Sequence, residues 1–527
     1  MKTNTHHSDH CFHAPLAISF LFVAALLVTC PAGLHGQGKV IYYSQHGAAG
    51  DGTTDDFDAI IKAHTAANET GAKVRADAGA TYYIGAANKT AEIQTDTDWG
   101  DAKFIIDDSK IDVQNRNWQI FNVSSKLPPT RITTIKTLRK NQAKLDLPLQ
   151  HDSFVTVADN TTKRFKRHGP NQNSGTAQTD VFVVDKNGNI NTNAPIIWDF
   201  DNISSMTAFP IDAETLTISG GRFTTIANQA ESKYTYYARG MVIRRSNVVL
   251  DGLWHAITGE LGHGAPYSGF ISISNCSGVT VQNCKLSGHK IYSTIGNAGK
   301  LVTMGSYDIT VTSSVNVTIK DCRQLNDIHD RKLWGIFASN YAKNIVFDNV
   351  EFSRFDAHMG VANATIKNSV LGHHGINLIG SGVFLVENTR VHGRHFINLR
   401  NDYGSTWEGE IIIRNCEYTP FNGARADAIL IGGSNSGQHD FGYQCYMPRK
   451  ITIDGLVIND TNPPDNYRGP KIFNNFNPAY TNGEYVEKHP YIITREIEMR
   501  NLTIKSGKPY IVSSNPFMFR NVRITEK

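Results

Sequence analysis

The sequence predicts an all-β chain wound into a solenoid of stacked coils, a parallel β-helix, and two observations carry that expectation. A short pattern (apolar, any, Asn/Asp/Gly, any, any, apolar) recurs along most of the chain, and short β-prone runs such as NIVF and EIII stand just ahead of it. The central position holds Gly220, Gly252, Asn283, Asp321, Asn349, Asn368, Asn388, Asn415, Gly455, Asn501 and Asn521. Gly, Asn and Asp accept a left-handed backbone at a sharp bend. The tightest spacings are 19 and 20 residues, and insertions stretch the others. One bend per unit, flanked by strands, describes coils that bury their apolar sides only by stacking. A β-sandwich would alternate its strands without repeating one bend residue at this period.

The first residues read as a targeting segment. Lys2 is followed by an apolar run, Leu16 to Val28, of signal-peptide length and too short to span a bilayer. Residues 1–36 are expected to be a signal peptide cleaved near Gln37, giving a secreted or periplasmic protein. A lipoprotein anchored through Cys30 is the lesser reading, because Thr29 is unusual ahead of a lipid-modified cysteine. Residues 37–527 then form one domain, and no second apolar stretch is long enough for a membrane span.

Within that domain, Ala59, Ile60 and Ala63 mark the buried face of a helix that Asp55 or Asp56 can N-cap. Asp51, Asp55 and Asp56 are read as loop braces before calcium ligands. Residues from about 100 to 210 match the repeat poorly and read as an irregular β-rich insertion. Five cysteines remain after cleavage, four of them assigned to one place in the repeat, so a buried column of thiols is expected in place of disulfides. A net charge of +4 with 20 histidines gives no nucleic-acid-binding tail.

The loops after the bends change character between Asn349 and Asn415, which read NVEFSRFDAHMGV, NSVLGHHGINLIG, NTRVHGRHFINLR and NCEYTP. Counting from the bend places Asp356, His373 and Arg394 at similar offsets, then Ala357, His374 and His395, with Asn377 and Asn398 one strand position later. Coils stack about 4.8 Å apart, so matching offsets form a cluster. Five histidines (His358, His373, His374, His392, His395) with Asp356, Arg394 and Arg400 concentrate titratable groups on one face, as acid–base chemistry needs. The preceding HDRKLWG loop adds Arg331 and Lys332. In the following RNDYGSTWEG loop Arg400 and Asp402 are expected to pair, Tyr403 to reach the groove and Trp407 to stack on a sugar.

Two stretches resemble known families. GAAGDGTTDDFDAIIKAH followed by GAKVRADAGATYYIG resembles the N-terminal segment of pectate-lyase-like proteins. That resemblance implies a right-handed parallel β-helix with an N-terminal capping helix. FDAH at Phe355 to His358 is similar to the YGFDPH signature of β-helix mannuronan C5-epimerases, sharing its Phe, Asp and His. Ala357 stands where that signature has proline. The paired-aspartate motifs of β-helix polygalacturonases are not found.

Lyases and C5-epimerases begin alike, by removing the proton α to a uronate carboxylate. The step needs donors on the carboxylate, a base near C5 and an acid. Asn377, Asn398 and Arg400 suit the first role, and His374 or His358 the base. Lys332, Arg394 and Tyr403 are further candidates for base or acid, with Asp356 and His395 completing the catalytic set. Arg331, His373 and Trp407 join the substrate-binding set. The expected function is a secreted polysaccharide lyase cleaving a uronate-containing acidic polysaccharide by β-elimination. Alternatives are a C5-epimerase or glycoside hydrolase on the same scaffold, or a non-catalytic carbohydrate-binding solenoid. No cofactor or metal ligand is assigned, calcium being the open alternative.

Overall fold

A computed structural model describes residues 39–423 and 425–527. The expected signal peptide, its cleavage site and Cys30 lie outside the described residues. The largest sheet has 30 strands in parallel ladders, and in one of these ladders each coil contributes one strand. Phe347 faces Ile366, which faces Val386, then Ile413, Ile453 and Met499. These inward residues are all buried. Alternation along each strand turns the next residue outward (Asp348, Lys367, Glu387, Arg414, Asp454, Arg500), so one apolar column fills the solenoid.

The bend column stacks as its residue types require. Asn349, Asn368, Asn388 and Asn415 follow directly on that outward row, with φ between 47° and 53°. Asn349 Nδ2 donates to Asp321 Oδ1 at 2.7 Å, and Asn388 Nδ2 donates to Asn368 Oδ1 at 3.3 Å. Asn521 is the exception. The strand Arg523–Glu526 pairs with Glu496–Met499, so Asn521 precedes a strand instead of ending one, and its φ is not positive. A second corner carries its own column, with Asn363 Nδ2 donating to Asn344 Oδ1 and Asn344 Nδ2 to Asn316 Oδ1.

Three cysteines, not four, follow bend residues: Cys284, Cys322 and Cys416. Cys276 sits at a different corner, after Asn275, because the repeat's other turn also ends in a small inward side chain. All five described cysteines are free and buried.

Near the start, the helix Phe57–Thr70 buries Phe57, Ala59, Ile60, Ala63 and Ala67 against the first coils. Asp56 holds the loop before it, accepting from the Ala49 and Gly50 N–H groups, while Asp55 accepts from Phe57 N at 3.0 Å. Asp51 accepts from the Thr53 and Thr54 N–H groups at 2.8 Å. These three carboxylates brace the loop.

The irregular segment begins later than residue 100. The strands Thr97–Asp107 and Phe121–Val123 already pair in parallel with Leu216–Ile226 and Met241–Ile243. Their outward residues are polar, which masked the coil in the sequence. The insertion proper is an antiparallel sheet of Thr130–Arg131, Ser153–Arg164, Thr176–Val184 and Ser205–Pro210. It has its own apolar core around Val155, Val157, Phe182 and Phe200. A buried ion pair, Lys343 with Asp180 at 2.6 Å, fastens it to the solenoid.

Candidate active site

A second parallel ladder carries the polar cluster. Asp356 pairs with Asn377, and Asn377 with Asn398. Counting offsets from the bend therefore put Asp356 beside the wrong residues. Phe352 faces Leu371 while Arg354 faces Gly375, so the second strand carries two extra residues in its stretch Gly372–His374. The next coil bulges again, since six residues separate Val391 from Ile397 where five separate Leu371 from Ile376. Such bulges re-aim side chains out of the pleat. They deliver His373, His374, Arg394 and His395 to a common cavity, together with Asn377 and Asn398.

That cavity, about 510 Å³, is one half of a groove. The other half, about 400 Å³, is lined by His358, Arg400, Asp402, Tyr307 and Arg354, and by Arg167 and His168 from the segment that follows the inserted strand Ser153–Arg164. Trp334 and Arg354 line both halves and form the neck between them. The hairpin of Tyr292–Ile295 and Leu301–Met304 adds Leu301 and Val302 to the near wall.

Beneath the neck lies a charge frame. Asp356 is fully buried and accepts from Arg400 Nη1 at 2.9 and 3.2 Å and from the Tyr307 hydroxyl at 3.2 Å, and it pairs with Arg354 Nη2 at 2.8 Å. Burial alone would raise its pKa, but Arg354 and Arg400 hold the carboxyl well below the usual range. Asp402 is held down in the same way, burial opposed by Arg400 and Arg167. Its expected pairing with Arg400 is present, at 2.8 Å.

The histidines are neutral. Burial, and then Arg400, lowers the His358 pKa to about 3. Its Nδ1 meets Asn340 Oδ1 at 3.0 Å, and Asn340 Nδ2 reaches Thr312 Oγ1, which fixes the amide. Nδ1 therefore carries the proton, and Nε2 keeps its lone pair. Burial, then Arg354 and His373, lowers His374 to about 2; burial, then Arg394, lowers His395 to about 4. Four buried polar atoms at the neck have no hydrogen-bond partner: Trp334 Nε1, Arg354 Nε, His373 Nε2 and His374 Nε2. Native interiors leave few such atoms, and these are polar groups that water or a ligand can reach on small movements of the neck.

Several expected site residues fall elsewhere. Asp356 underlies the groove without lining it, because Arg354 and Arg400 cover it. Tyr403 is buried and lines neither half; its ring packs 5.8 Å from His358 and 6.0 Å from Phe165. Trp407 is a core residue, 5.8 Å from Phe384, with Nε1 donating to Glu410 O, since it begins a strand with its side chain turned inward. Lys332 and Arg331 are exposed and line neither half, as their loop runs past the rim. Conversely, Arg354, Trp334, Tyr307 and Arg167 belong to the site and were not assigned to it. The WG that follows HDRKL was the one available signal, an aromatic beside a glycine in a loop already singled out.

Two other places are less suited to chemistry. Asp308 accepts from His255 Nδ1 and His289 Nε2, both at 2.9 Å, but the adjoining cavity holds only about 10 Å³. A cavity of about 290 Å³ between insertion and solenoid has its charged groups already partnered, Lys343 with Asp180 and Lys140 with Glu408 at 3.0 Å. Among the described residues no group of three or more His, Cys, Asp or Glu side chains is placed to hold a metal ion, and no helix is long and apolar enough to cross a membrane.

No family model matches the chain, and no curated protein does. Solved structures do. The tailspike gp61 of Pseudomonas phage phi297 is similar at TM-score 0.52 and 13% identity, covering 90% of this chain and 84% of the tailspike. The chain is a right-handed parallel β-helix. Looser overlays, which bear on nothing further, include the tailspike gp49 of Pseudomonas phage LKA1 (TM-score 0.47, 14% identity, 92% and 84% covered). Another is the endo-xylogalacturonan hydrolase of Aspergillus tubingensis (TM-score 0.34, 13% identity, 93% and 99% covered).

Proposed function

We propose that the protein is a secreted or periplasmic polysaccharide lyase that cleaves a uronate-containing glycan by β-elimination, with the helix Phe57–Thr70 closing the first coil. The observation that carries this reading is His374, an imidazole that burial and the Arg354 charge hold neutral, lining the same cavity as Arg354 and Arg394. In this reading Arg354 and Arg394 hold the uronate carboxylate, and the Asn377 and Asn398 amides orient its sugar. His374 takes the proton from C5, and the electron pair moves into the carboxylate, which the arginines stabilise. The pair then returns to form the C4–C5 double bond as the C4–O bond breaks. Tyr307, turning its hydroxyl from Asp356, gives the leaving oxygen its proton, and Arg354 and Arg400 steady the tyrosinate until solvent restores it. Burial is the main cause raising the Tyr307 pKa to about 12, still below that of a leaving alkoxide. His358 Nε2 accepts from a sugar hydroxyl in the near half.

Hydrolysis by paired carboxylates is less supported, because Asp356 and Asp402 are both consumed by arginines. Epimerisation shares the first step, so the test must separate them. Acidic polysaccharides are incubated with the purified protein, with and without chelator and added calcium. Ultraviolet absorbance of unsaturated uronates is followed alongside reducing ends and solvent-proton exchange at C5. Absorbance rising with reducing ends is expected. Reducing ends without absorbance would mean hydrolysis, exchange without cleavage would mean epimerisation, and silence in all three would sink the catalytic reading.

A further inference from the structure

The two halves of the groove differ in charge. In the near half every arginine faces an aspartate: Arg400 bonds Asp356 and Asp402, Arg167 bonds Asp402 at 2.9 Å, and Arg354 meets Asp356 at 2.8 Å. Five charges thus reduce to a net of one, and that one sits at the neck. The near wall also carries aromatic rings, with Tyr234 and Tyr236 6.2 Å apart at 31° to each other, and Trp334. A wall of this kind offers flat apolar faces to a pyranose ring and no unspent cation deeper in.

The far half is built the other way. Among the described residues no carboxylate lines it, and it contains Arg394, an exposed side chain outside the ion pairs found in the protein. Amides of Asn377, Asn398, Asn422 and Asn474 fill most of the remaining wall, supplying both donors and acceptors. An anionic ring placed there meets both Arg354 and Arg394, and no repelling charge lines the cavity.

We infer that the groove takes a glycan in which an acidic sugar alternates with an uncharged one. The acidic ring lies in the far half between Arg354 and Arg394, the uncharged ring lies against Tyr236 and Trp334 in the near half, and the bond joining them crosses the neck. This rests on the reading of the groove as the site for an acidic polysaccharide and narrows the class of polymer. It also fits the place of His374, whose ring stands 5.4 Å from Trp334 and so beside the acidic ring at the neck.

Binding is the test, independent of turnover. Affinity electrophoresis of the full-length mature protein would compare alternating polymers (hyaluronan, unsulfated chondroitin, heparosan) with uronate homopolymers (polygalacturonate, polymannuronate). At least one alternating polymer should bind about tenfold more tightly than either homopolymer, the size of one charge-assisted or stacking contact. Arg394→Ala, which removes an exposed side chain outside the ion pairs, should weaken that binding by about tenfold. Tyr236→Ala should weaken the alternating polymer and leave homopolymer binding unchanged, with circular dichroism confirming the fold. Homopolymers bound as tightly or more tightly, or no binding to any of the five, would overturn the inference. Selective binding with no ultraviolet product would leave it standing and overturn the lyase reading instead.

Discussion

Arg354 and Asp356 stand two residues apart on one strand and meet at 2.8 Å, with Arg400 closing on the same carboxylate at 2.9 Å from two coils further on. Residues i and i+2 share a face of a strand, so the pair forms without distorting the backbone. The consequence is a buried anion between two cations, and its purpose is to fix Arg354 with Nε turned to the neck.

Asp356→Asn should therefore act through the frame. Removing the charge leaves two guanidinium groups buried beside each other, and breaking a buried pair typically costs about 3–5 kcal/mol. A shift of that size in the chemical-denaturation midpoint is expected, together with loss of glycan binding. A variant as stable as the parent would show that the frame carries no such strain.

The neutral histidines predict how stability depends on pH. His358, His374 and His395 have folded pKa values of about 3, 2 and 4, against about 6.5 in an unfolded chain. Between those limits the unfolded state binds more protons, so their contribution is intact above pH 6.5 and is lost as pH falls toward 4. His374→Gln should flatten the slope in that window by up to one proton, about 1.4 kcal/mol per pH unit. Unfolding midpoints measured from pH 4 to 8 in parent and variant would show it; parallel curves would place His374 in a more solvated setting.

Left-handed corners give a third expectation. Asn388 has φ 47° and bonds Asn368 in the coil before it. Asn388→Ala should lose about 1–2 kcal/mol, since it keeps a left-handed Cβ and gives up both the bond to Asn368 and the local polar bonding that makes Asn tolerate that backbone. Asn388→Gly should lose less, giving up only the side-chain bond. Equal losses would mean that the bond, not the backbone, is what matters.

Thiol reactivity checks the packing of the coils. Cys276 and Cys445 are buried, and burial pushes both pKa values up to about 12. A neutral, enclosed thiol is a poor nucleophile. Labelling by an aromatic disulfide should be slow in the native protein and complete in denaturant, and fast native labelling would mean that the coils open readily.

The corners were legible in the sequence because a positive φ restricts residue type so strongly that Asn, Asp and Gly betray it. The second column, Asn247, Asn316, Asn344 and Asn363, left a comparable trace, each standing three residues before an inward apolar residue. What the sequence could not show was the number of residues between corner and strand. The bulge at Gly372–His374 changes register without changing composition, and a shift of one residue turns a side chain from groove to core. The cover that Arg354 and Arg400 put over Asp356, and the inward turn of Tyr403 and Trp407 in the loop beyond, are products of tertiary packing. Arg167 was invisible for the same reason: it comes from the insertion, some two hundred residues away in the chain, and only tertiary packing brings it to Asp402.

The sharpest prediction concerns His374. Its ring stands 4.0 Å from His373 and 5.4 Å from Trp334, and it lines the half of the groove that has no carboxylate. An imidazole with so low a pKa is a weak base in the free protein. Two of the three causes holding it down are burial and the Arg354 charge, and a bound uronate places its own negative charge against Arg354, which relieves the second. Substrate thus raises the basicity of the group that attacks it. His374→Ala should lower kcat by about 10²–10⁴-fold, the usual worth of a positioned base, while leaving the fold and KM nearly unchanged. The pH profile should separate this from a packing effect. The acid limb of kcat/KM, which reports the free protein, should lie well below that of kcat, which reports the complex. Coincident limbs would show that substrate does not tune the base, and an active His374→Ala variant would move the proton abstraction to His358, whose Nε2 faces the near half.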